Sequence, residues 1–265
     1  MSGTLDRAWM LVLAGGKGTR LAAAVPNRPK VLAPVGDRPF LDILLERLHG
    51  QGLRRVALLL GVHHQQVLDH LAGGAVVPPG MEVATVVEDQ PLGTAGALKL
   101  AAAFCKSTFL VANGDTYLDL DAAALWAEHQ RVGALATLAG MHVPDGGRYG
   151  TLEIDGDGRL GAFREKDAAG RPGLISGGVY VMEPALLDLI PAGRAVSLEQ
   201  EVFPAAIAAG HRLQVVPQTG RFFDIGTEAS WQDFVRFAGP ARRDEDRRTQ
   251  AGSIQAGSTI TGDKQ

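Results

Sequence analysis

Short, nearly continuous apolar runs alternate with longer segments of helical spacing over the first half of the chain. The runs are Ala8-Trp9-Met10-Leu11-Val12-Leu13, Val56-Ala57-Leu58-Leu59-Leu60, Val83-Ala84-Thr85-Val86-Val87 and Thr108-Phe109-Leu110-Val111-Ala112. Each reads as a strand buried on both faces. Between them, Phe40, Leu41, Leu44, Leu45 and Leu48 predict a helix that stops at Gly50-Gln51-Gly52, and two further helices are expected over 62–71 and Ala95–Phe104. Buried strands separated by helices predict an α/β fold, with a parallel sheet covered on both faces.

The texture changes after residue 140. Segments 149–154 and 159–163, joined by Asp155-Gly156-Asp157-Gly158, read as a hairpin with a polar turn. Gly177-Gly178-Val179-Tyr180-Val181-Met182 reads as another core strand. Helices are expected over Pro184–Ile190, Ser197–Ala208 and Glu228–Phe237. Beyond Ala241 almost nothing is apolar, so 241–265 is expected to be a disordered tail, leaving 1–240 as one domain.

Size and composition narrow the function. The chain has 265 residues, 46% of them hydrophobic, and a net charge of -3, enough for a substantial core but no basic footprint for nucleic acid. No apolar run reaches membrane-spanning length, and the N-terminus lacks the pattern of a secretory signal. The single cysteine, Cys105, excludes an internal disulfide and agrees with a cytoplasmic location. It reads as a small apolar residue, not a nucleophile. The seven histidines show no metal-ligand spacing and are expected at the surface.

The chemistry-bearing stretch is Leu13-Ala14-Gly15-Gly16-Lys17-Gly18-Thr19-Arg20-Leu21, followed by Pro29-Lys30. Glycines at a strand end let backbone N–H groups turn toward an anion, and Lys17, Arg20 and Lys30 add positive charge. This is a phosphate cradle, yet its spacing is neither that of the P-loop nor that of the dinucleotide fingerprint. Leu92-Gly93-Thr94-Ala95-Gly96-Ala97, after the third strand, has side chains small enough to admit a flat ring. Asp115, beyond the fourth strand, and Asp224, within Phe222-Phe223-Asp224-Ile225-Gly226-Thr227, are candidate ligands for Mg²⁺, which takes one or two carboxylates beside phosphate oxygens. A turn or helix-cap role is the competing reading for each. Glu165-Lys166 offers a point charge for a second phosphate, and Ser176-Gly177-Gly178 offers backbone donors near a sugar.

Over 8–238 the chain resembles the sugar-1-phosphate nucleotidyltransferases, the nucleotide-sugar pyrophosphorylases. The resemblance lies in the glycine loop, Pro29-Lys30, Pro91 to Ala97, Asn113-Gly114-Asp115, Phe163-Arg164-Glu165-Lys166, Gly177-Gly178-Val179-Tyr180 and Asp224-Ile225-Gly226-Thr227, in that order. Gly114-Asp115-Thr116-Tyr117, Arg148-Tyr149-Gly150 and Ser197-Leu198-Glu199 are most similar to the D-glycero-D-manno-heptose 1-phosphate guanylyltransferases. Two positions depart from the pattern: Val31 replaces a second proline, and Ser176 replaces an Asn before the glycine pair.

The resemblance implies a Rossmann-like three-layer sandwich with a mixed, mostly parallel sheet. Its nucleotide-binding part would be 8–140 and its sugar-phosphate part 141–240. It implies an enzyme that joins a nucleoside triphosphate to a sugar 1-phosphate for cell-surface glycan synthesis, with a homo-oligomer allowed. Leu13, Ala14, Gly15, Gly16, Gly18, Thr19, Glu88, Gly93 and Thr94 would bind nucleotide. Arg20 and Lys30 would offset phosphate charge, Asp115 and Asp224 would hold Mg²⁺, and Gly150, Glu165, Lys166, Ser176 and Gly177 would bind the sugar phosphate. A phosphate monoester is already anionic, with a second pKa of about 6, so no general base is expected. Glu88 sits where the family contacts the base. A carboxylate suits the paired N–H donors of guanine, which favours GTP, although Gln90 is near enough to compete and would suit uracil. A uridylyltransferase and a mannose-1-phosphate guanylyltransferase are the alternatives on this fold. A non-catalytic nucleotide-sensing subunit would have lost cations or carboxylates, and this chain keeps Arg20, Lys30, Asp115, Lys166 and Asp224.

Overall fold

The computed structural model describes residues 4–16, 18–147, 149–164 and 170–238. The expected tail, Lys17, Arg148, Glu165 and Lys166 therefore lie outside the described residues. In chain order the elements are β1 (Trp9–Ala14), β2 (Pro34–Val35), β3 (Arg38–Pro39), α1 (Phe40–Gly50), β4 (Arg55–Leu60), α2 (His64–Gly73), β5 (Glu82–Val87) and α3 (Gly93–Leu100). They continue with β6 (Phe109–Asn113), β7 (Thr116–Leu118), α4 (Ala122–Val132), β8 (Ala136–Val143), β9 (Thr151–Ile154), β10 (Leu160–Arg164) and β11 (Gly173–Met182). The last are α5 (Phe203–Ala208), β12 (Leu213–Gln218), β13 (Phe222–Asp224) and α6 (Glu228–Ala238). Among the described residues no helix is long and apolar enough to cross a membrane.

The described residues form a seven-stranded sheet in the order β12-β8-β11-β6-β1-β4-β5. Neighbours run parallel except β11, which is antiparallel to both β6 and β8. The sheet is thus mixed and mostly parallel, as the family resemblance implied. Alternate residues of its central strands feed two cores. Met10, Val12, Val56, Leu58 and Leu110 pack with α1 and Phe234 of α6 on one face. Leu11, Ala57, Leu59, Phe109 and Val111 pack with α3 and α5 on the other. That two-sided burial explains why the strands read as continuous apolar runs.

Local chemistry sets the boundaries. Asp121 caps α4 by accepting from the Ala124 N–H at 2.9 Å, and Gly133 ends that helix at φ 60°. Several expected helices are shorter or differently wound. Helix 62–71 begins at His64, and the helix expected over Ala95–Phe104 begins at Gly93 and ends at Leu100, giving way to a 3₁₀ turn over Ala102–Phe104. Pro184–Leu189 is a 3₁₀ helix, and 197–208 opens with a π turn over Leu198–Val202 before α5. β8 and β12 are additions. Pro217 makes β12 look unlike a strand, but β12 is an edge of the sheet, where a missing donor is tolerated.

One expectation about histidines is corrected. His129 is only 1% exposed, between Thr137 Oγ1 at 2.8 Å and Glu183 Oε1 at 3.0 Å. Its two ring nitrogens are both satisfied, which makes the burial tolerable. Burial holds this imidazole below its ordinary pKa, against the opposing pull of the Glu183 carboxylate. A group whose folded pKa is depressed stabilises the fold above its unfolded pKa, and that stability is lost as pH falls through the lowered value. The melting temperature should therefore drop as pH falls below about 6.5. Thermal melts at pH 7.5 and 5.5 check this, with His129→Gln losing most of the slope.

Candidate active site

Two cavities open beyond the carboxyl ends of the parallel strands β1, β4, β5 and β6, where ligands bind in open α/β sheets. The first, about 340 Å³, is lined by Leu13, Ala14, Gly15, Gly16, Lys30, Glu88, Gly93, Thr94, Asn113 and Asp115. The second, about 670 Å³, is lined by Arg20, Asn113, Asp115, Gly150, Arg164, Ser176, Gly178, Glu199 and Asp224. Asn113 and Asp115 belong to both, so the cavities meet at the end of β6.

The glycines of the cradle have separate reasons to be glycine. A Cβ on Gly15 would lie 2.5 Å from Glu88 Oε1, whereas Gly16 has open space where a ligand phosphate could approach. Gly18 has φ 64° and sits against the Lys30 stem. Thr19 is exposed and, with Gly18, is not among the residues lining either cavity. Lys30 starts a 3₁₀ turn whose Val31 is buried and comes within 3.0 Å of a Cβ built on Gly114. Val31, which stands in place of the second proline, thus packs under the Asn113-Gly114-Asp115 turn.

Glu88 enters the first cavity at the end of β5. Its backbone N–H bonds to Leu60 O at 2.9 Å, and its Oε2 accepts from Leu92 N at 3.2 Å. Burial pushes this carboxyl above its usual range, with the Leu92 bond opposing. Gly93, at φ 70°, has no room for a Cβ, which would fall 2.5 Å from Val196 O. Thr94 Oγ1 accepts from Leu198 N at 2.8 Å, so the rim of the first cavity is tied to the π turn that carries Glu199.

The carboxylates expected to share an ion are brought together by backbone pairing. β13 pairs antiparallel with β7, setting Asp224 opposite Thr116, and Ile225 N donates to Asp115 O at 2.9 Å. Asp224 Oδ1 accepts from Gly226 N at 2.8 Å. Behind it Phe223 stacks on Phe237 with centroids 4.9 Å apart and meets Phe234 edge-on at 5.5 Å. Burial raises the Asp224 pKa, and the nearby Asp115 charge raises it further, against Gly226, Lys30 and Arg20. Lys30 Nζ lies 2.5 Å from Asp115 Oδ2. Among the described residues no three His, Cys, Asp or Glu side chains converge on a metal position. Two carboxylates that repel one another beside a phosphate cradle nonetheless fit Mg²⁺, which draws its remaining ligands from phosphate and water.

The second cavity differs in part from expectation. Arg20 lines this one, not the first, and Gly178 lines it where Gly177 was expected. Gly177 faces Ala139 O and Leu118 across the sheet, because β11 shifts register between Ser176 and Tyr180. Gly178 takes φ 69°, and a Cβ there would strike Asn113 Nδ2 at 2.6 Å. The Ser176 hydroxyl is already engaged, 3.1 Å from Tyr180 Oη and accepting from Gly178 N at 3.3 Å. Buried Tyr180 in turn donates to Glu199 Oε1 at 2.6 Å. Glu199, Asn113 and Arg164 were legible only as motif members; nothing in their spacing assigned them a cavity. Cys105 is buried, its thiol pushed up to about 12 by desolvation, which suits a packing role.

A family model described as nucleotidyl transferase matches residues 10–238. A mannose-1-phosphate guanylyltransferase of Mycobacterium tuberculosis is 35% identical over 228 residues, 85% of this chain and 62% of that relative. This chain therefore spans less than two thirds of that relative's length. A D-glycero-alpha-D-manno-heptose 1-phosphate guanylyltransferase of Campylobacter jejuni is 33% identical over 190 residues, 72% of this chain and 82% of the relative. HddC from Yersinia pseudotuberculosis, in complex with GMP-PN, superposes with a TM-score of 0.77 at 29% identity, covering 88% of this chain and all of the other.

Proposed function

Since this chain belongs to the nucleotidyl transferase family, we propose that it is a guanylyltransferase joining GTP to D-glycero-D-manno-heptose 1-phosphate. The observation that carries the reading is the meeting of two cavities at Asp115, with Asp224 paired beside it. One cavity has the cradle and base-edge carboxylate for a nucleotide; the other has polar groups for a sugar. In the reaction a sugar phosphate oxygen attacks the α-phosphorus of GTP, the bond from that phosphorus to the bridging oxygen breaks, and pyrophosphate leaves with the electron pair.

The attacking phosphate is already anionic, so the protein's part is positioning and charge neutralisation. Gly15 and Gly16 admit the phosphates against the backbone, and Lys30 reaches them from the same wall. Arg20 faces the second cavity, where it would meet the sugar phosphate or the α-phosphoryl group. Asp115 and Asp224 are the residues that would hold Mg²⁺. When bound, the ion would neutralise charge on the phosphoryl oxygens. Glu199, oriented by Tyr180, presents its second oxygen to sugar hydroxyls.

Two parts of the reading have direct tests. A panel of GTP and UTP against heptose, mannose and glucose 1-phosphates, read as pyrophosphate release, should show the largest kcat/KM for GTP with the heptose phosphate. Mannose 1-phosphate with GTP is the second reading, favoured by the Mycobacterium relative; activity confined to UTP would overturn both. Glu199→Gln should raise KM for the sugar phosphate about tenfold while KM for GTP changes less than about twofold, because a charged hydrogen-bond acceptor is lost on one side only. Steady-state kinetics varying each substrate in turn separates the two constants.

A further inference from the structure

Four charged side chains meet where the cavities join. Lys30 Nζ covers Asp115 Oδ2 at 2.5 Å. The position of a Cβ on Gly226 lies 2.7 Å from Asp224 Oδ1 and 3.4 Å from both Arg20 Nη2 and Lys30 Nζ. Two cations and two carboxylates therefore share one small volume, and their formal charges cancel. Lys30 and Asp115 are half-buried, with side-chain exposures of 18% and 25%, so salt screens this cluster less than a surface pair.

A divalent ion approaching the nucleotide-free protein finds one carboxylate oxygen covered by an ammonium group and no net negative charge. A triphosphate changes both conditions. Lys30 also lines the first cavity beside Gly15 and Gly16, on a flexible four-carbon stem, so phosphate oxygens placed there offer it a second partner. We propose that Lys30 holds the place of the divalent ion in the nucleotide-free protein, releasing Asp115 only when a triphosphate draws it into the first cavity. Metal and nucleotide then enter as one event, and the carboxylate pair does not collect free cations. The inference rests on the reading of the first cavity as a triphosphate site.

The test is Mn²⁺ binding to the nucleotide-free protein, followed by the loss of the free-ion signal in electron paramagnetic resonance. Wild type should bind Mn²⁺ weakly, and Lys30→Met should gain about tenfold in affinity, within the usual range for coupled sites. Arg20→Met removes the same charge from the same cluster but leaves Asp115 Oδ2 covered, so it should gain less than about threefold. Adding Asp224→Asn to Lys30→Met should return affinity to the wild-type level. Equal binding by wild type and Lys30→Met overturns the proposal, and so does an Arg20→Met gain as large as that of Lys30→Met, which would mark a bulk charge effect. Lys30→Gln serves if the methionine variant melts early. No turnover is involved, so this failure is distinguishable from that of the functional reading, which the pyrophosphate panel decides alone.

Discussion

Asp115→Asn should lower kcat for pyrophosphate release by about a thousandfold while leaving GTP affinity within about tenfold. The asymmetry follows from where Asp115 stands. It lines both cavities, so under the proposed reading it would face the phosphorus at which one substrate attacks the other. Charge on that phosphoryl group is redistributed in the transition state, and a group acting there contributes more to rate than to ground-state binding. The amide keeps the size and one acceptor oxygen but loses the charge that balances Lys30 and, when present, the ion. Rapid-quench turnover at saturating substrates gives the rate, and calorimetry with GTP alone gives the binding. Near-normal turnover would remove Asp115 from the mechanism.

Glu88→Gln should cut kcat/KM for GTP about 100-fold, equivalent to about 2.7 kcal/mol, and narrow or reverse the preference over UTP. Glu88 Oε2 is committed to the Leu92 N–H, while Oε1 lies near Gly15 and Gly61, where added Cβ atoms would fall within 2.6 Å of it. Those two glycines keep the space around this oxygen clear. Burial raises the carboxyl's pKa, so the group gains when a ligand supplies N–H donors, as the guanine edge does. A glutamine offers one acceptor and one donor, matching uracil better and leaving a guanine donor unpaired. The measurement is kcat/KM for both triphosphates with one sugar phosphate. An unchanged ratio would detach base choice from residue 88.

Much of the first layer of this site was legible because it is local. A strand end, glycines and cations lie within a few residues of each other, and their chemistry can be read directly. The resemblance carried Asp115 and Asp224 to the same ion; only β7–β13 pairing shows how they meet. Ser176 does line the second cavity, but the engagement of its hydroxyl by Tyr180 and Gly178 follows from the β11 register shift, which no composition rule signals. Gly178 lines the cavity where Gly177 was expected because β11 carries two extra residues against β8 between Ser176 and Tyr180, and Gly178 takes φ 69° there. β12 was missed because its proline and glutamines look unlike a strand, although an edge position accepts them. His129 looked like a surface residue because its two partners come from Thr137 on β8 and Glu183 just beyond β11.

The pairing of β7 with β13 also bears on how the molecule matures. Its partners come from positions 116 to 118 and 222 to 224, so the second carboxylate joins the first only after more than a hundred intervening residues have been made. A growing polypeptide halted before residue 222 carries the glycine cradle and Asp115 but not Asp224. Contacts this distant in sequence are among the slower ones to close, so the carboxylate pair is expected to form late in folding.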